Sequence, residues 1–131
     1  MTMPPGVLLD TTVLIDVLRN RNQRRRFLAG LVLSGHALAI STMSVAEIYS
    51  GLRPGEEQPT STLLNQLSWY PVSGAIAERA GSLKADLRRQ GQTRSLADMI
   101  VAATALENAF NLATDNRKDF AGIGLILLQL P

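Results

Sequence analysis

Asp10, Glu47, Asp98 and Asp115 lie far apart in this chain of 131 residues, and each falls beside the expected start of a helix or the end of a strand. Asn116 and Asp119 follow close behind the last of them. Carboxylates brought to one place repel and raise one another's pKa unless a cation sits between them. Ligation by carboxylate oxygens alone suits Mg2+ or Mn2+ rather than zinc. Two such ions can hold a phosphodiester, lower the pKa of a bound water and stabilise the leaving oxygen. The chemistry on offer is therefore metal-assisted hydrolysis at phosphorus, provided the fold gathers these acids.

Each acid also has an ordinary structural use. Ser95-Leu96-Ala97-Asp98 and Ser44-Val45-Ala46-Glu47 both fit the capping-box pattern. Asp10 suits a helix N-cap, and Asp115 or Asn116 suits a turn. Capping, however, does not require the caps of four different elements to meet at one edge. Other chemistries find little support. The single histidine, His36, sits beside Gly35 ahead of a strand and reads as a loop residue. Neither GxxxxGK[ST] nor GxGxxG occurs, so no phosphate-cradling loop is expected. With no cysteine, disulfides and thiolate zinc sites are excluded.

The elements that would position the acids can be read in order. Val7-Leu8-Leu9 is a short buried strand that turns directly into a helix at Asp10-Thr11-Thr12. A second amphipathic helix covers 23–34 and ends at Gly35. Ala37 to Ile40 is a second strand, leading through 41–44 into a helix from Val45 to about Leu52. The stretch Pro54 to Pro59 reads as an exposed turn, followed by a short helix from Thr60 to Leu67. Ser68 to Val72 is a third strand, where Pro71 suits an edge position. Gly74 to Arg89 is an amphipathic helix with Ile76, Ala80, Leu83 and Leu87 on one side. Leu96 to Leu106 is apolar all round and free of Gly and Pro, which marks a helix buried inside the molecule. Asn111 to Thr114 and Leu125 to Leu128 are the last two strands. Short apolar strands alternating with helices argue for a parallel sheet covered on both faces. Ligands of such sheets bind beyond the carboxyl ends of the strands, and that is where the four acids fall.

A chain of this length makes one domain, 1–131, with a single core. Its apolar content of 46% is that of a globular protein, and no run is long and uninterrupted enough to span a bilayer. No membrane association is expected. The first six residues lack the basic and apolar regions of a signal peptide, so a cytoplasmic setting is expected. A formal net charge of +2 says little about nucleic acid. Local basic groups say more, and Arg94, Arg117 and Lys118 stand nearest the acids in sequence.

Four segments together resemble the PIN-domain ribonucleases, in particular the short VapC-like toxins of toxin–antitoxin pairs. They are Val7-Leu8-Leu9-Asp10-Thr11-Thr12-Val13-Leu14-Ile15, Ser44-Val45-Ala46-Glu47-Ile48-Tyr49-Ser50-Gly51, Leu96-Ala97-Asp98-Met99-Ile100-Val101-Ala102-Ala103-Thr104-Ala105 and Thr114-Asp115-Asn116-Arg117-Lys118-Asp119-Phe120. They occur in the family's order and span nearly the whole chain. The resemblance implies a three-layer α/β/α sandwich around a parallel sheet of four to five short strands. It also implies Mg2+- or Mn2+-dependent cleavage of RNA. Asp10, Glu47 and Asp98 match the family's acidic triad, and Thr11 or Thr12 matches a hydroxyl that orients the first acid. The last segment places Thr114, Asn116 and Asp119 at motif positions. Asp115, directly after the strand, is the first candidate for a fourth acid on strand-end geometry, with Asn116 and Asp119 as alternatives. The resemblance further implies a homodimer and silencing by a cognate VapB-like antitoxin. The faces of the first two helices (Val13, Leu14, Val17, Leu18, Phe27, Leu31) are candidates for its groove.

Two rival functions are less well supplied. An aspartyl-phosphate phosphatase or phosphotransferase would need a second acid two residues after Asp10, where Thr12 stands. A silent module that binds RNA or a partner without cutting would have no use for the full set of acids.

Overall fold

The computed structural model describes residues 3–131; Met1 and Thr2, part of the amino-terminal stretch considered above, lie outside the described residues. Strand β1 (Val7–Leu9) is followed by helices α1 (Thr11–Leu18) and α2 (Arg24–Leu33). Strand β2 (Leu38–Ser41) leads to α3 (Thr42–Ser50) and α4 (Glu57–Leu64). Strand β3 (Ser68–Tyr70) precedes α5 (Gly74–Arg89) and α6 (Leu96–Glu107), and β4 (Asn111–Ala113) is followed by a 3-10 turn, Arg117–Asp119.

The four strands form one parallel sheet in the order β3-β2-β1-β4. Leu8 pairs with Ala39 on one side and Leu112 on the other. Because side chains alternate along a strand, these three point into one core, shared with Ile76, Ala80 and Leu87 of α5 and Met99 to Ala105 of α6. Val7, Leu9, Ile40 and Ala113 point the other way, into a second core with Val13 and Leu14 of α1, Leu28 of α2, Ile48 of α3 and Leu64 of α4. Two cores on opposite faces make the three-layer sandwich. They also explain why β1 is apolar throughout: all three of its residues are fully buried.

The expected element order holds, with corrections at three places. The stretch Leu125–Leu128 is not a full strand. It touches the sheet through one parallel bridge, Leu112 to Leu127, with Leu112 N–H donating to the Ile126 carbonyl at 2.9 Å and Leu128 N–H to the Leu112 carbonyl at 2.9 Å. Gly122 and Gly124, both at positive φ, turn the chain just before it. Helix α3 starts three residues earlier than expected, because Ser41 caps it by accepting from Met43 N–H at 3.1 Å. Ser44 is therefore inside the helix, not its cap. Helix α4 starts at Glu57, so Pro59 lies in its first turn, where the missing N–H would have had no partner in any case. Strand β3 is at the sheet edge, as Pro71 directly after it suggested.

The chain steps outward from β1 to β2 to β3 and then returns to lay β4 on the other side of β1. The order thus reverses at β1, and the carboxyl ends of β1 and β4 open a crevice between neighbouring connections. Asp10 is at that point: its N–H donates to the Ala113 carbonyl at 3.0 Å.

Candidate active site

Asp10 follows β1 directly and caps α1, its Oδ1 accepting from Thr11 N–H at 2.9 Å. Its Oδ2 accepts from the Thr114 hydroxyl at 2.7 Å, a buried bond between the ends of β1 and β4. Only 4% of Asp10 is exposed. Burial pushes its pKa up; the hydrogen bonds from Thr114 and Thr11 pull against that, and the charges of Asp98 and Glu47 add to the rise.

Glu47 lies in the second turn of α3, and the Thr11 hydroxyl donates to its Oε1 at 2.9 Å. The early start of α3 places it there, and the bond to Thr11 gives it a use other than capping. Thr11 thus serves both acids, its N–H on Asp10 and its hydroxyl on Glu47. Thr12 points outward and is exposed. Asp98 occupies the first turn of α6, with its N–H donating to the Ser95 hydroxyl at 3.0 Å, as the sequence pattern indicated. Its pKa is raised first by burial; the Ser95 hydroxyl and the charge of Arg94 lower it, while Asp119 raises it.

Glu47 and Asp98 thus act on Asp10, and Asp119 acts on Asp98. Asp115, the first sequence candidate for the fourth position, is drawn elsewhere. Its Oδ1 accepts from Nη2 of Arg24 at 2.6 Å, a guanidinium buried at the start of α2 that also lies 3.5 Å from Asp16 and bonds the Pro131 carbonyl at 3.0 Å. Asn116 N–H donates to the Thr114 hydroxyl at 3.0 Å, which shapes the turn leading to Asp119. Arg94, half-buried, donates from Nη1 to the Lys118 carbonyl at 2.7 Å and from Nη2 to Gln92 Oε1 at 2.8 Å. Arg117 donates to the Leu128 carbonyl at 3.0 Å, and Lys118 is exposed. His36 is a loop tie, with Nδ1 2.8 Å from the Pro5 carbonyl. Sequence reasoning missed Arg24; the only signal was its place in the basic run Arg24-Arg25-Arg26, which looked like a solvated face.

The chemistry of the donor set suits a hard divalent cation. Among the described residues, ion pairs engage Asp16, Glu56, Asp86, Glu107 and Asp115; none engages Asp10, Glu47, Asp98 or Asp119. These four carboxylates make no ion pair, although the charge of Arg94 acts on Asp98 from further away. Among the described residues no three of these acids stand close enough together to hold a metal ion as they are placed.

A PIN-domain family model matches residues 7–124. Ribonuclease VapC10 of Mycobacterium tuberculosis is 36% identical over 110 residues, covering 84% of this chain and 82% of its own length. A solved toxin–antitoxin complex from Klebsiella pneumoniae contains a chain 30% identical, with a TM-score of 0.79, covering 95% of this chain and 97% of that one. The fold is also shared with VapBC2 from Rickettsia felis, solved bound to a DNA fragment from their promoter, at a TM-score of 0.82, 24% identity and coverage of 95% and 98%. Matched by that family model over most of its length and sharing 36% identity with VapC10, the chain belongs to the PIN-domain family, among the VapC ribonucleases.

Proposed function

We propose that this chain is an Mg2+- or Mn2+-dependent endoribonuclease, acting as the toxin of a toxin–antitoxin pair in the cytoplasm. VapC ribonucleases of the PIN family are metal-dependent in general. The observation that carries the reading is the buried Asp10, pushed up in pKa by burial and by two neighbouring carboxylates that no arginine or lysine pairs with.

Asp10, Glu47, Asp98 and Asp119 would hold the cation. Once bound, it would supply positive charge against the phosphodiester and lower the pKa of a water molecule. The chain's own residues do the positioning. The Thr114 hydroxyl and the Thr11 N–H fix both oxygens of Asp10. The Thr11 hydroxyl orients Glu47 toward the same crevice. Capping by Ser95 holds the first turn of α6, and with it Asp98, at the end of the sheet. In this reading exposed Lys118, and Arg117 through the nitrogens that its bond to the Leu128 carbonyl leaves free, contact RNA phosphates.

The antitoxin reading draws on the Klebsiella complex and on an apolar groove of about 750 Å3 between α2 and α4, lined by Leu28, Val32, Leu33, Leu38, Leu63 and Leu67. Val32 and Leu33 are 58% and 88% exposed. Val13 and Leu14, by contrast, are fully buried and not available to a partner, while Val17, buried to a lesser degree, lines the groove. A homodimer that takes up the antitoxin is the expected assembly. Among the described residues no helix is long and apolar enough to cross a membrane.

The test is RNA cleavage by the purified chain in Mg2+, Mn2+ and EDTA, beside Asp98→Asn. Cleavage should vanish in EDTA and fall more than about a hundredfold in the variant, beyond the loss typical of groups that merely support a metal ligand. Undiminished cleavage in both would remove the proposal. Binding of RNA without cleavage under any metal would point to the silent module instead.

A further inference from the structure

We propose that Arg94 is a positioning residue: its guanidinium fastens the turn that carries Asp119 to the loop that begins α6, and so keeps Asp119 beside Asp98. This rests on the assignment of Asp98 and Asp119 as cation-holding acids. Sequence reasoning made Arg94 a candidate RNA contact, and the geometry points to a different use.

Asp98 and Asp119 come from separate elements and carry like charges that push them apart. Asp98 is fixed by the helix it begins. Asp119 ends a 3-10 turn of three residues, held internally by Asp119 N–H on the Asn116 carbonyl at 3.0 Å and Phe120 N–H on the Arg117 carbonyl at 3.2 Å. Buried Thr114 anchors the start of this segment and buried Phe120 its end. Between them Asp115 is tied to Arg24, Asn116 N–H to the Thr114 hydroxyl and Arg117 to the Leu128 carbonyl, contacts that hold the turn on its other sides but do not reach toward α6. Arg94 reaches it from the α6 side. Its Nη1 meets the carbonyl of Lys118, one peptide before Asp119, at 2.7 Å.

Arg94 is itself held at its other end. Lys84 of α5 donates through Nζ to the Arg94 carbonyl, which fixes the backbone. Gln92 takes Nη2 through its side-chain oxygen at 2.8 Å. The side chain thus spans from the α5–α6 loop to the 3-10 turn with contacts at both ends. A phosphate-binding arginine presents its planar fork to the ligand; here one N–H on each terminal nitrogen is already spent within the protein. Arg94 also places positive charge near Asp98, opposing the effect of Asp119 there. Lysine would keep that charge but could not hold two acceptors in one plane.

Mn2+ binding, measured calorimetrically without RNA, and RNA cleavage kinetics separate the two roles. In Arg94→Ala, Mn2+ affinity should fall about 10- to 100-fold, the range for residues that orient a metal ligand. The value of kcat should fall with it, while KM for RNA stays within about twofold. Arg94→Lys should recover only part of the loss. In an Asp119→Asn background, Arg94→Ala should have almost no further effect on Mn2+ affinity, since it acts through Asp119. If the alanine chain does not fold, the lysine chain carries the test with the same readouts. Unchanged Mn2+ affinity together with a raised KM and a flatter salt dependence would make Arg94 a phosphate contact and overturn the proposal. Asp98→Asn is the control on the site itself: if it leaves Mn2+ binding intact, the assignment of the acids fails, whatever Arg94 does.

Discussion

At the scale of single residues, the choice between Asp115 and Asp119 decides which acid completes the site. We propose Asp119. Asp115 is committed to Arg24, a buried guanidinium that would otherwise keep only the 3.5 Å approach of Asp16 and the Pro131 carbonyl, and its Nε already lacks a hydrogen-bond partner. The two acids should therefore respond oppositely to the same substitution. Asp115→Asn should lower stability by about 1.5 kcal/mol, the low end for a hydrogen bond to a charged group because Asp115 itself is well exposed, and should leave RNA cleavage within a few-fold of the parent. Asp119→Asn should leave stability nearly unchanged and reduce cleavage strongly. Urea unfolding and a cleavage assay on both chains check this, and the reverse pattern would restore Asp115. The difference was not legible in the sequence for a physical reason. Counting from the strand end locates Asp115 correctly, but its charge is claimed by a residue 91 positions away. By contrast Asp10, Glu47 and Asp98 were legible, since each is fixed by local structure at a strand end or in the first turns of a helix.

At the scale of elements, α6 sets the spacing. It is a helix with almost no polar face, buried from Met99 to Ala105 against α5 and the sheet. Ala102, Ala103 and Ala105 are fully buried, so the backbone of α6 lies close to its neighbours. Ala103→Leu should cost about 1–3 kcal/mol through overpacking, and because it shifts the helix that carries Asp98, it should lower cleavage at temperatures where the chain is still folded. Ser95→Ala should cost about 1 kcal/mol by removing the N-cap. A thermal melt paired with an activity assay distinguishes them from a neutral surface change. This helix was the plainest element to read, because an apolar stretch without Gly or Pro has few other fates. The start of α3 was harder. Ser41 and Ser44 are equally good caps on paper, and only the position of β2 chooses Ser41, which leaves Ser44 buried with an unpaired hydroxyl. The fate of Leu125–Leu128 was hidden for a similar reason: a run of apolar residues shows burial, while joining a sheet over several residues depends on a neighbour's geometry, and here a single bridge, Leu112 to Leu127, forms.

At the scale of the whole molecule, the gathering of acids at the reversal point sets a term in stability against charge. Asp98 ordinarily titrates near 3.8, and in the folded chain its pKa is raised, chiefly by burial and also by Asp119. The folded state therefore binds this proton more tightly than the unfolded chain does. Below the unfolded value both states are protonated and the site carries no penalty. As pH rises through the folded value, the ionised carboxylate costs stability, and above it the cost is complete. Without a cation, Asp98→Asn should thus melt at a higher temperature than the parent at pH 7, and the gap should close as pH falls toward 4. Glu56, whose pKa is lowered by its hydrogen bond to Arg19, works in the opposite sense but is present in both chains and cancels from the difference. If the site takes Mg2+ as proposed, only the folded state with its acids in place binds it, so Mg2+ should raise the melting temperature of the parent at pH 7 by mass action and do much less for the variant. Melting curves of both chains in EDTA and in Mg2+, from pH 4 to pH 7, test each sign separately. Equal melting temperatures at pH 7 in EDTA would mean that ionised Asp98 is penalised neither by burial nor by its acidic neighbours, and the case for a cation at the β1–β4 crevice would lose its physical basis.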